Sequence, residues 1–372
     1  MATVAERPTR SPTAAGPAQE RAPGRRWDAR FPVVVLGLLV ALLVSLTLAV
    51  TIGPVAIAPL TVWQIAVSRL TGLASGEWSA AHENIVWLIR FPRVLLAAVV
   101  GAGLAVVGVA MQATVRNPLA DPYILGVSSG ASVGAVLVIL FGVFQFLGIY
   151  ALSVAAFLGA VLTFIVVLTL AQHRGTLSPV RLILVGVALS YVLSATMSFM
   201  VFRADEAEGI RSVLFWLMGS VAGAKWSYLT LPLLVLLIGT VYLVLQARPL
   251  NALVAGEETA VSLGVDTNRF RRVLMVVAAM MTGVMVALAG AIGFVGLMMP
   301  HTVRLFVGTD HRRVLPVSLL AGAIFLVWVD VLARTVVQPE EMPLGVITAF
   351  LGGPFFLWLM RRRKDAFGGG RT

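Results

Sequence analysis

The sequence predicts an all-α polytopic membrane protein of about ten transmembrane helices with both termini cytoplasmic. Three observations predict it. Hydrophobic residues make up 59% of the 372-residue chain and charged residues 12%, against roughly a quarter charged in an average soluble domain. One soluble core could not hide that much apolar surface, and disorder requires low hydrophobicity. The apolar runs are continuous, whereas barrel strands alternate, and at about 20 residues per span the length accommodates roughly ten helices.

In chain order, residues 1–30 are rich in Pro, Ala and Arg and read as a disordered, basic cytoplasmic tail. The pair Arg25-Arg26 resembles a twin-arginine signal. The apolar run that follows, about 31–53, is long enough to span and lacks a convincing cleavage site, so it reads as an uncleaved first helix. Further spans are expected near 94–114, 122–143, 148–172, 179–202, 227–247, 273–297, 298–308, 314–334 and 343–360. The short one at 298–308 is required partly by parity. These make one membrane domain over 31–363, with a cytoplasmic segment at about 248–272 and a second tail at 364–372. Two outer segments, 54–93 and 205–226, carry Trp63, Trp78, Trp87, Trp216 and Trp226. Indole rings favour the lipid headgroup region, so both segments are expected along the outer interface.

Orientation follows from the basic residues. All but Lys225 and Lys364 of the 28 are Arg. With the N-terminus inside, twenty fall in inside segments and six in outside ones, which is the expected cytoplasmic bias. The same excess of charge carries no nucleic-acid reading, because no basic face on a soluble module is present. Glycines at 101, 103, 108, 283, 290 and 293 suit close helix packing in lipid. The strings 101–112 and 283–294 share glycine at offsets 0 and 7 and a similar Ala/Val texture, and by the charge count they run in opposite directions, which hints at inverted halves.

Chemistry is sparse. There is no cysteine, hence no disulfide, thiol nucleophile or thiolate metal site. Four histidines form no His-Glu-x-x-His pair and there is no Gly-x-Ser-x-Gly, so a membrane hydrolase is disfavoured. An ion-driven carrier usually keeps ionisable groups at the midplane; here the spans are nearly free of them, apart from Asp330 and Arg334, four apart on one helix face and placed to pair. ATP could supply the energy, yet no phosphate-binding loop exists: Gly219-Ser-Val-Ala-Gly-Ala-Lys225-Trp226 lacks the Gly-Lys-Ser/Thr end. A separate ATPase would need a cytoplasmic handle. Gly256-Glu-Glu-Thr-Ala-Val-Ser-Leu-Gly264 would make a short helix of about two turns with glycine stops, although a plain interhelical loop fits the spacing equally.

Several strings taken together resemble the permease subunits of ABC importers for iron–siderophores, haem and cobalamin. They are Arg90-Phe-Pro-Arg93; Gly101-Ala-Gly-Leu with Met111-Gln112; Arg116-Asn-Pro-Leu-Ala-Asp-Pro122; Gly126-Val-Ser-Ser-Gly-Ala131; the loop 256–264; Gly290-Ala-Ile-Gly-Phe-Val-Gly-Leu-Met-Met-Pro300-His301 with Arg304 and Asp310-His311-Arg312; and Pro343-Leu-Gly-Val-Ile-Thr-Ala-Phe-Leu-Gly-Gly-Pro354. The resemblance runs from about 35 to 363. It implies a ten-helix subunit of the bacterial cytoplasmic membrane, surrounded by lipid and working in a pair with an identical copy or a paralogue. Two ATPase subunits would dock below and a substrate-binding protein above. The chain itself would be no enzyme and hold no cofactor, with ATP and Mg bound by the ATPase. The resemblance implies that Arg90, Arg93 and Arg334 face carboxylates of the binding protein, a bidentate match for guanidinium. For Arg90 and Arg93 the residues alone favour lipid headgroups. It implies an inner gate at Asn117 and Leu119 with Pro179 and Val180 opposite, where the family's small hydroxyl residues are missing. It makes Gly256, Glu257, Glu258, Thr259, Ala260, Ser262, Leu263 and Gly264 an ATPase-coupling element. Pro300 and His301 match a family signature, read here as packing or helix capping. The function expected is ATP-driven import, of ferric siderophores first, with haem or cobalamin as alternatives inside the family and an ion-gradient-driven transporter as the alternative outside it.

Overall fold

Helices account for nearly all of the structure, a computed structural model that describes residues 24–72, 76, 78–173 and 176–362. The N-terminal tail as far as residue 23 and the C-terminal tail from residue 363 lie outside the described residues. Helix α1 (Gly24–Thr51) begins inside the stretch assigned to the basic tail. The chain then forms α2 (Pro59–Thr71), with proline at its first turn and left-handed Gly72 at its end. Next come α3 (Ala80–Asn84), a π-helical turn (Ile85–Arg90) and α4 (Phe91–Val115), which run on as one rod from Ala80 to Val115. The outer segment expected along the interface up to residue 93 is therefore mostly helix. Its Trp87 packs on Trp226 with ring centroids 4.6 Å apart. The two rings shield each other's apolar faces while the Trp226 indole donates to the Trp87 carbonyl at 2.7 Å.

A 3₁₀ turn (Pro122–Leu125) leads into α5 (Val127–Phe141), so the span expected over 122–143 is only 15 residues of α-helix. Then follow α6 (Ala151–Ala171), a two-residue antiparallel pair (Gln172–His173 with Thr176–Leu177), α7 (Pro179–Phe202), the amphipathic α8 (Ala207–Leu217) and α9 (Thr230–Leu245). On the cytoplasmic side lie α10 (Ala247–Ala255) and α11 (Glu257–Ser262). They are followed by α12 (Thr267–Ala289), α13 (Val295–Val307), α14 (His311–Ala333) and α15 (Leu344–Arg362). Among the described residues, eight helices are long and apolar enough to cross a membrane, and Val127–Phe141 and Val295–Val307 are shorter apolar helices. Eight long and two short match the expected ten. The short helix expected at 298–308 starts three residues early because Phe294 takes a left-handed turn that restarts the chain there.

α4 is the axis of the bundle, buried along most of its length and packed against α12, α13 and α14. Gly101 of α4 and Gly322 of α14 lie back to back, and a Cβ on either would run into the other's carbonyl. In lipid there is no hydrophobic drive between helices, so such close backbone contact supplies the dispersion that holds them. Gly283 and Gly293 have no comparable contact. The string 101–112 is uninterrupted helix, whereas 283–294 is a helix end followed by a break. The hint of inverted halves in these two strings is not borne out.

Candidate functional site

Three regions gather the chain's chemistry. The first lies at the end of the bundle that the charge count places outside. Helix α1 ends there with the unpaired carbonyls of every helix C-terminus, a partial negative charge. Arg90 donates to the carbonyls of Val50 and Thr51 at 2.8 and 3.1 Å and of Val55 at 2.6 Å. Arg334 donates to Ala49 and Ile52 at 2.6 and 3.2 Å. Arg93 bonds Asp330 at 2.8 Å and Glu341 at 2.8 Å. Asp330 also meets Arg334 at 3.3 Å, so the pair expected from spacing forms, but as the weaker arm of a network. The three arginines expected to face a binding protein are brought together at the outer end. They are buried, and each is already engaged by groups of the same chain.

The second region is the inner end of α4. Gln112 donates to the Gly296 and Leu297 carbonyls at 3.2 and 3.4 Å and accepts from Arg304. The helix ends at left-handed Arg116 with bonds from Arg116 and Asn117 back to Ala113 and Gln112, a Schellman closure built without glycine. The Asn117 side chain then accepts the Leu119 N–H at 2.9 Å, a tight turn at the expected gate. Pro179 opens α7 at its first position and Val180 is exposed beside it. Farther along, Asp121 and Tyr123 share a cleft of about 350 Å³ with Ser190, Tyr191 and Ser194 of α7. α7 is the least buried of the candidate spans. Sequence reasoning missed Tyr123. Its hydroxyl accepts the Ile292 N–H at 3.0 Å and donates to the Ile292 carbonyl at 2.8 Å. It thus satisfies both backbone groups of the residue where α12 has stopped and α13 has not begun. A tyrosine at the very start of the span predicted over 122–143 was the available signal, since a buried phenol needs a partner. Pro300 lies inside α13, and the buried His301 ring packs edge-on against Phe355 of α15 at 6.1 Å.

The third region is cytoplasmic. α11 is the short helix with glycine stops that the spacing suggested. Gly256 and Gly264 take φ of 147° and 80°. Gly264 N–H bonds Val261 and Val265 N–H bonds Ala260 at 2.9 and 3.0 Å, which is a Schellman cap. Ala260 is buried, whereas Val261 and Leu263 are 57% and 68% exposed. Glu257 grips Arg271 of α12 with both oxygens, at 3.1 and 3.0 Å, and accepts from Thr267 at 3.3 Å. The Arg271 hydrogen bonds hold its carboxyl below the usual carboxylate range, with Thr267 and the charge of Arg116 adding to the effect. Asn251 of α10 donates to Asp310 at 2.7 Å and accepts the His311 N–H at 3.0 Å, fixing α10 to the start of α14. Burial raises the Asp310 carboxyl's pKa, but the bond from Asn251, the Arg312 N–H and the charges of Arg312 and Arg313 outweigh it and leave it lowered.

The model of the FecCD transport family matches residues 27–362. The chain belongs to this family. It is 46% identical over 282 residues to the cobalamin import system permease protein BtuC of Halobacterium salinarum, covering 76% of this chain and 74% of that one. It is 40% identical over 339 residues to the hemin transport system permease protein HmuU of Yersinia pestis, covering 90% and 97%. Among solved structures, one described as an inward-facing conformation of a metal-chelate type ABC transporter superposes with a TM-score of 0.78 at 31% identity, covering 89% of this chain and 99% of that one. This FecCD-family chain is thus a multi-pass permease of the bacterial inner membrane, a transport subunit of an ABC importer whose ATPase activity lies in partner proteins.

Proposed function

We propose that this permease pairs with a second permease subunit to form the translocation pathway of an importer for a bulky metal chelate, with α11 as the element engaged by the ATPase. One observation carries the reading: α11 presents Val261 and Leu263 to water from a short helix fixed at both ends. Apolar side chains held out beside exposed charged ones on a cytoplasmic helix fit a partner's cleft. The cleft between Asp121, Tyr123 and the hydroxyls of α7 supports the pathway, since a carboxylate in the membrane is costly unless it faces water or protein. Asn117, Leu119, Pro179 and Val180 would close that pathway at its inner end.

The two relatives named above favour a corrinoid or haem as cargo over a ferric siderophore, because their names specify cobalamin and hemin. The binding protein would dock on the outer end near Arg90, Arg93 and Arg334. Its carboxylates would compete there with Glu341, the most exposed acid of the network at 38%, rather than meet free guanidinium groups.

Reconstitution in liposomes with the ATPase and binding protein tests the reading. Uptake of cobalamin or hemin should require ATP and survive collapse of ion gradients. Uptake that ignores ATP and stops with the gradient would mark a secondary transporter. Uptake of ferric siderophores alone would return the cargo to the first expectation.

A further inference from the structure

We infer that Glu257 is a positioning residue that makes α11 and α12 one rigid lever, so that displacement of the coupling helix reaches the membrane break at 290–294 instead of being absorbed by the connecting turn. The inference rests on the reading of α11 as the ATPase-engaging element.

The turn between the two helices, 263–266, is short, and without a brace it could flex. Three contacts brace it. Glu257, the first residue of α11, holds Arg271 through two nearly equal bonds of 3.1 and 3.0 Å, the fork geometry that fixes orientation as well as distance. Arg271 is 3% exposed and sits one turn into α12, so the brace is anchored in the bundle rather than on its surface. The Thr267 hydroxyl adds a third bond to the same carboxylate. At the far end of α11 the Schellman cap ties Val265 back to Ala260, and the Asp266 carboxylate caps α12 through the Arg269 N–H at 3.0 Å. Both ends of the turn are therefore pinned.

What the lever reaches is also on the same helix. α12 runs 23 residues, about 35 Å at 1.5 Å per residue. It ends at Gly290, whose left-handed turn opens the break. Within that break Ile292 is held by both bonds to the Tyr123 hydroxyl. Tyr123 follows the turn of Asn117 and Leu119 by a few residues, across Asp121, whose carboxylate accepts the Tyr123 N–H at 2.9 Å. A continuous chain of bonded elements thus joins α11 to the inner end of α4. The Arg116 charge acts on Glu257 from that same end. Among the described residues, the neighbouring acid Glu258 makes no hydrogen bond or ion pair, which leaves the bracing role to Glu257.

The test uses the full complex of permease, ATPase and binding protein in liposomes, with cargo moved per ATP hydrolysed as the readout. Glu257→Gln keeps the shape and removes the charge at a half-exposed site. It should assemble with the ATPase. Cargo moved per ATP hydrolysed should fall about fivefold, the size of effect that coupling mutations produce, a ratio that is read independently of the hydrolysis rate itself. A variant that moves cargo per ATP like the parent overturns the inference. So does one that fails to assemble, since Glu257 would then belong to the docking surface. Val261→Glu with Leu263→Glu separates the underlying reading: these should abolish ATPase assembly. If they assemble and transport normally, α11 is not the engaged element; if they fail while Glu257→Gln is unaffected, only the lever is lost.

Discussion

Arg93 and Asp330 face each other across the α4–α14 contact at 2.8 Å, both almost wholly buried. Asp330 is 237 residues from Arg93 in sequence, yet it is the hub of the outer end, serving Arg93 and Arg334 together. Removing one partner from a buried network leaves the other charges desolvated and uncompensated, which costs about 3–5 kcal/mol.

Asp330→Asn should therefore destabilise the purified permease strongly. Glu341→Gln, which removes a half-exposed carboxylate from the same Arg93, should cost at most about 1 kcal/mol. Thermal unfolding in detergent compares the two. Equal losses would mean that the outer network is as wet as an ordinary surface pair.

Tyr123→Phe should loosen the break between α12 and α13. The substitution keeps the ring and strips both bonds from Ile292. Two backbone groups then lack partners at a place where water is scarce, at about 1–3 kcal/mol for an unsatisfied group. Faster hydrogen exchange confined to 290–294, with α12 itself protected, is the expected result. Unchanged exchange would show that water already serves those groups.

Gly264→Val should insert and express normally and lose assembly with the ATPase or coupling to it. Gly264 sits at φ 80° with open space around it, so conformation rather than room is what fails. A β-branched residue there is strained by about 1–2 kcal/mol or more. The Schellman closure would open and α11 would tilt. Co-purification followed by hydrolysis and uptake assays reads this directly, and a variant that behaves like the parent makes 256–264 a mere connector.

Acid should release α11. The Glu257 carboxyl is held below its ordinary value chiefly by its hydrogen bonds from Arg271. A depressed carboxyl contributes stability that is complete above the unfolded value, roughly 4.3 for Glu, and that is lost as pH falls through the folded value. Protection of the α11 amides should thus stay constant from neutral pH down to about 5 and decline below about 4. Protection that already falls between pH 7 and 6 would point to another group.

Much of this was legible in the chain. The number of spans, the orientation, the short helix between Gly256 and Gly264 and the pairing of Asp330 with Arg334 all depend on local quantities. Hydropathy over a window, charge in a loop, glycine at a helix end and i,i+4 spacing are each read within a few residues. The π-helical turn before α4 was not legible, because apolar residues continue through it in either helix type. Nor was the burial of Arg90, which looks like any interfacial arginine until the end of α1 is placed against it.

The sequence by itself determined the class of molecule, its membrane topology and the family strings, because the bilayer forces every spanning segment to satisfy its backbone internally and to present apolar side chains. Only the tertiary structure decided which polar groups meet. Arg93 finds Asp330, Gln112 finds Arg304, Tyr123 finds Ile292 and Glu257 finds Arg271 through helix packing set by small-residue contacts such as Gly101 on Gly322. Spacing along one chain cannot reveal such meetings, because a buried polar group takes whatever partner the neighbouring helix brings to it, and the identity of that helix is a property of the packed bundle.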